Sequence, residues 1–214
     1  DKAIARAGQP PKGVAVEIRG QITVMRQIFA NLAGGLGVAV LVMLLVLAAN
    51  FQSFRLALVA LSTVPAVLAG GVLALLVTGA SLDLESFMGL IMGVGVALAN
   101  AILLITFAER NRKAGQLAME AAHNAAAERL RPVLMTSLAM VVGMLPMALA
   151  LGRGSEVTAP LGRAVIGAVI IATLATLFVL PTLFGLIQKK ASTASVSLDP
   201  DDPASAFAQA VETP

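Results

Sequence analysis

Five stretches of about twenty almost uninterrupted apolar residues punctuate this chain, at Phe29–Ala49, Leu56–Val77, Phe87–Ala108, Val133–Leu151 and Pro160–Ile187. At 1.5 Å of rise per residue each matches the roughly 30 Å hydrocarbon core of a bilayer. A chain of 214 residues with 58% hydrophobic and only 13% charged residues lacks the polar surface to cover five such segments in water. A soluble domain carries about 25% charged residues. In lipid the backbone must satisfy its own hydrogen bonds, so the spans are predicted to be helices. The fold class that follows is all-α, a polytopic membrane helix bundle of five transmembrane helices. Pro65 and Pro146 fall inside the second and fourth runs, where neighbouring helices can re-satisfy the freed backbone. Pro132 is expected in the first turn of span four, where its missing N–H has no intrahelical partner to lose. The chain contains no cysteine, which excludes disulfides and thiolate metal sites, and no Trp or Tyr, which removes the usual aromatic belt.

The connections alternate in charge. Arg55 follows span one, and Asp83 and Glu85 with no basic residue follow span two. Arg110, Arg112, Lys113, Arg129 and Arg131 follow span three, only Arg153 follows span four, and Lys189 and Lys190 follow span five. By the positive-inside rule the first, third and last of these are cytoplasmic and the N-terminal segment is outside. The five basic residues of that segment oppose this orientation, unless it belongs to a large translocated domain, which is largely exempt from the rule. Because the basic residues sit between spans, the pI near 9.8 reads as a topology signal and not as a nucleic-acid surface. The chain starts at Asp1 with no apolar leader in residues 1–28, so it is expected to be a piece of a longer polypeptide. Residues 13–19 alternate as a strand would, and residues 1–28 read as the end of an external region. Residues 29–188 are the five-span bundle. Within it a surface helix of about 114–130 is expected at the cytoplasmic face, with Glu120, His123, Asn124, Glu128 and Arg131 on a polar stripe and Ala121, Ala122 and Ala125 away from it. Residues 189–214 read as a disordered cytoplasmic tail rich in Ser, Asp, Ala and Pro.

Small residues recur every fourth position at Gly93, Ala97 and Ala101 in span three and at Ala164, Ala168 and Ala172 in span five. Such faces let helix backbones approach closely in lipid, and packing is the simpler reading over sliding during transport. Asn100 places an amide in mid-span, where an unpartnered polar group is costly, so it faces other helices, either as interhelical glue or beside an ion path. Arg129 and Thr136 are seven residues apart, two helical turns or roughly 10 Å along one face. By spacing alone they read as an interface Arg and a Thr bonded to its own backbone, or as a fixed charge above a hydroxyl relay. Leu98, beside Asn100 on the same span, is expected to tolerate truncation to Ala. His123, the one histidine, reads as solvated. No P-loop, zinc-ligand set or nucleophile elbow is present, so the sequence calls for no cofactor, no metal and no enzyme chemistry.

Three segments carry a resemblance. Asn100-Ala-Ile-Leu-Leu-Ile-Thr-Phe-Ala108, Arg129-Leu-Arg-Pro-Val-Leu-Met-Thr-Ser137 and Gly143-Met-Leu-Pro146 are similar, in order and spacing, to the C-terminal half of resistance-nodulation-division (RND) efflux permeases. Ala159-Pro-Leu-Gly-Arg-Ala-Val-Ile-Gly167 with Leu180-Pro181, and residues 13–30 as the end of a periplasmic porter region, extend the resemblance over residues 10–188. It implies a twelve-span, trimeric permease of the bacterial inner membrane that exports drug-like compounds or metal ions in exchange for protons. Its partners would be the missing N-terminal part, a periplasmic adaptor and an outer-membrane channel. It implies a proton-relay role for Arg129 and Thr136, with Asn100 beside them. The family's relay lysine would fall at position 99, which here is Ala99, and its aspartates would fall outside this chain. With no Met pair, Cys or His cluster to mark a metal path, drug-like amphiphiles are the expected substrates. A heavy-metal exporter and a non-transporting RND-like export-machinery subunit are the alternatives.

Overall fold

The computed structural model describes residues 21–152 and 154–190, and all the secondary structure in them is helical. The strand expected at 13–19 and the tail from 191 onward lie outside the described residues. The helices are α1 (Gln21–Phe51), α2 (Phe54–Leu61), α3 (Thr63–Val77), α4 (Leu84–Lys113), α5 (Ala118–Ala148), α6 (Ala159–Leu174) and α7 (Leu180–Ile187). A π-helical segment, Ala175–Val179, joins α6 to α7, and a 3₁₀ turn, Gln188–Lys190, follows. Five stretches are long and apolar enough to cross a membrane, namely Val24–Phe51, Phe54–Val77, Leu84–Lys113, Ala118–Ala148 and Ala159–Ile187. The chain divides into two compact units, Asp1–Ala39 and Val40–Pro214. Within the first, the described residues are helical, with Val24, Met25 and Val38 exposed. The rest of this section concerns the second unit.

The second span is two helices because Pro65 has no N–H for the carbonyl of Leu61, where α2 ends. Hydroxyls take over the exposed carbonyls at the break. Ser62 Oγ donates to the Val59 carbonyl at 2.6 Å and Thr63 Oγ1 to the Ala60 carbonyl at 2.8 Å. The third span begins with a capping box, in which the Ser86 N–H donates to the Asp83 carboxylate and the Asp83 N–H to Ser86 Oγ, both at 2.8 Å. Arg110, Arg112 and Lys113 occupy its last turn, where positive charge complements the helix dipole.

Span four departs from expectation. A separate surface helix followed by a span starting at Pro132 does not occur; α5 runs unbroken from Ala118 to Ala148 with Pro132 and Pro146 inside it. The segment before Pro132 is rich in Ala, the strongest helix former, and one lost backbone bond does not outweigh its propensity. Ala121, Ala122 and Ala125 are fully buried, because α5 packs on α7 here.

α6 is the central helix and packs against α3, α4 and α5. Gly70 of α3 and Gly167 of α6 face each other backbone to backbone. A Cβ at Gly70 would lie 2.7 Å from the Gly167 carbonyl oxygen, and one at Gly167 would lie 2.5 Å from that of Gly70. Ala97, Ala101, Ala164, Ala168 and Ala172 are all buried, and a Cβ at Gly93 would lie 2.5 Å from that of Ala168. The core around them contains Val67, Val94, Leu98, Leu104, Leu180 and Phe184.

Candidate functional site

The α4–α5 hairpin positions the residues singled out in the sequence. A tight turn at Ala114–Leu117, with Gly115 at φ +99°, sends α5 back antiparallel to α4. Across the hairpin the Arg129 guanidinium lies 3.8 Å from the centroid of the Phe107 ring, a cation–π contact. The Arg129 Nε is buried and has no hydrogen-bond partner among the described residues. Part of its donor fork thus stays unspent among the described residues.

Asn100 precedes Phe107 by two turns on α4, and Thr136 follows Arg129 by two turns on α5. Because the helices are antiparallel, Asn100 and Thr136 both lie about 10 Å from the Phe107–Arg129 contact, in the same direction. The three polar residues are therefore arranged on two levels of one hairpin. Asn100 is half-buried and makes no side-chain hydrogen bond among the described residues. Thr136 is exposed, and its hydroxyl donates to the carbonyls of Pro132 at 3.1 Å and Val133 at 3.0 Å, leaving its oxygen free to accept. Ala99, at the position of the family lysine, is exposed. His123 is exposed too.

Sequence reasoning missed three polar connections. Ser137 and Thr173 share a buried hydrogen bond of 2.6 Å that ties α5 to α6, and Thr173 Oγ1 lies 2.8 Å from the Val169 carbonyl. At the hairpin end of the bundle, Arg112 makes a two-point ion pair with Glu109 at 2.6 and 3.0 Å, and Gln188 donates to the same carboxylate at 3.3 Å. At the opposite end Arg163 Nε donates to the Ala148 carbonyl at 2.9 Å, capping the C-terminus of α5. The Glu109–Arg112 spacing of three was a legible helical pair. The partners of Ser137 and Arg163 are set by which helices adjoin, and no local pattern announces that. Among the described residues no three His, Asp or Glu side chains come together as a metal-binding group.

A half-buried, permanently charged arginine, an amide and a hydroxyl on one face of adjacent apolar spans suit the handling of charge inside a membrane. The profile of the AcrB/AcrD/AcrF family matches residues 1–188. The chain belongs to this family of RND permeases. Members are transporters and not enzymes. Among curated relatives, the chain is similar to the nickel and cobalt resistance protein CnrA of Cupriavidus metallidurans, with 37% identity over 187 residues, which are 87% of this chain and 17% of that protein. Among solved structures, it is similar to the X-ray structure of a heavy metal efflux pump, with 35% identity and a TM-score of 0.69, covering 88% of this chain and 19% of the other. The chain thus spans under a fifth of the length of the relatives it matches.

Proposed function

We propose that this chain is the C-terminal membrane part of a proton-coupled RND efflux permease whose cargo is a divalent transition-metal cation. The observation that carries the cargo is the likeness to a nickel and cobalt resistance protein at 37% identity and to a heavy metal efflux pump at 35%, each over more than four fifths of this chain. It sets a metal cargo beside the drug-like one expected from residue content. The metal ligands of such a pump need not lie in these spans, so the lack of a ligand cluster here decides little. Amphiphile export, expected from residue content, is the second reading.

The working protein would be a homotrimer in the bacterial inner membrane, joined to a periplasmic adaptor and an outer-membrane channel. Residues 1–28 would end its periplasmic region, 29–188 would be its last five spans and 189–214 a cytoplasmic tail. Arg129, Thr136 and Asn100 would serve proton coupling as helpers. Arg129 presents a fixed charge, and Thr136 and Asn100 orient water toward carboxylates contributed by the rest of the permease. With Ala99 in place of a lysine, those carboxylates have no ammonium partner from this span.

The test is growth of an efflux-deficient host carrying the full-length gene. Raised tolerance to nickel or cobalt, abolished by a protonophore, is the expected result. Tolerance to dyes and detergents with none to metals would transfer the cargo to the second reading. Energy-independent tolerance would sink proton coupling.

A further inference from the structure

Thr63, Thr106, Thr136, Thr173 and Thr182 each donate the side-chain hydroxyl to a carbonyl three or four residues back. Thr176 does not. It is 1% exposed, and its hydroxyl bonds nothing among the described residues. It lies in the π segment Ala175–Val179, which packs on α3 and α4 and in which the Leu180 N–H reaches back to Ala175. Pro181 brings no N–H, so the Thr176 carbonyl, five residues before it, gains no donor from the π register. A buried hydroxyl left over costs stability, and π turns recur where a helix serves function.

The height of Thr176 in the bundle follows from the packing. α4 and the last span run parallel, with Gly93 against Ala168 and Glu109 against Gln188. Thr176 comes eight residues after Ala168 and so lies level with Ala101, next to Asn100. The hairpin sets Thr136 at the height of Asn100, and the Ser137–Thr173 bond joins α5 to the last span one turn from Thr176. Polar side chains from three spans thus share one level of an otherwise apolar bundle. We propose that Thr176 is a further positioning residue of the proton-coupling site. Its hydroxyl is idle in the resting bundle and orients water admitted to this level during the transport cycle. A hydroxyl and a carbonyl of one residue give a water both a donor and an acceptor partner. The proposal rests on the proton-coupled reading and is independent of the cargo.

The experiment measures, for the full-length permease, efflux from preloaded energised cells and the Tm of the purified protein. Nickel is the probe, or an amphiphilic dye where the wild type does not export nickel. Thr176→Val is isosteric and is expected to keep the Tm while lowering efflux about three- to tenfold, the scale of one hydrogen bond. Thr176→Ser keeps the hydroxyl and loses a buried methyl, so it should lower the Tm and keep efflux. A packing role predicts the reverse order. Thr182→Val, at an exposed position whose hydroxyl bonds its own helix, should change neither. Parent-like efflux by Thr176→Val overturns the proposal, and so does a loss of efflux that tracks a fall in Tm. Wild-type efflux left intact by a protonophore sinks the proton-coupled reading and the proposal with it. Protonophore-sensitive efflux that Thr176→Val leaves unchanged sinks the proposal alone.

Discussion

At Arg129 the charge is fixed but its hydrogen bonding is incomplete. One face of the guanidinium rests on Phe107, and the buried Nε has no partner among the described residues. In the full-length permease Arg129→Ala is expected to cut transport to roughly a tenth or less, about 1.4 kcal/mol at the limiting step. Thr136→Val should cost only about two- to threefold, because its hydroxyl already bonds its own helix and loses just its accepting role. Parent-like transport in both, at matched expression, would return them to an interface anchor and a backbone-bonded hydroxyl. The control belongs at Leu103, which is exposed. Leu98 is 1% exposed in the core, so its truncation costs about 2–5 kcal/mol and is not silent as the sequence suggested. Thr176 makes a different case. It is 1% exposed and its hydroxyl has no partner among the described residues. Replacing it with the isosteric Val should leave thermal stability of the permease unchanged or slightly raised, since an unpaired buried hydroxyl contributes only its desolvation cost. A clear drop in Tm would show that the hydroxyl is satisfied in the assembled pump.

Among the elements, the spans were legible because bilayer thickness and apolar run length are tied together directly. What was not legible was how helices start, break and continue. Pro65 does interrupt its span, and Pro132 does not. The difference lies in the neighbours. Ser62 and Thr63 provide hydroxyls that stabilise a break, whereas Ala-rich sequence before Pro132 carries the helix through. The small-residue rows were visible as a spacing, but the tightest crossing uses Gly70 and Gly167, which belong to different helices and share no sequence pattern. Gly167→Ala is expected to destabilise the permease by about 1–3 kcal/mol, because the new methyl meets the Gly70 carbonyl and Ala74. The measurement is thermal unfolding in detergent with Gly95→Ala as the control, since nothing lies within 4 Å of a Cβ there. Equal behaviour of the two variants would mean that the α3–α6 crossing yields to a methyl group.

For the molecule as a whole, loop charges give an orientation, and the α4–α5 turn is where it is tested. A reporter cysteine is best placed at Ala114, which is exposed, and not at Gly115, whose φ of +99° strains any side chain. In intact cells that cysteine should resist an impermeant thiol reagent and react after lysis; ready labelling from outside would invert the topology. The two ends of the bundle also stand in different phase. Near the N-termini of α4 and α6 the two helices run side by side with partners seventy-five positions apart, Gly89 against Ala164 and Gly93 against Ala168. At the basic end the matching pair, Glu109 and Gln188, is seventy-nine apart. Part of that slip arises in the π turn, where the Leu180 N–H reaches five residues back to Ala175 just before Pro181. A π turn stores one surplus residue in an α-helix. Returning that segment to α-helical register would turn everything after it by about 100° relative to α6. Gln188 would then swing off Glu109.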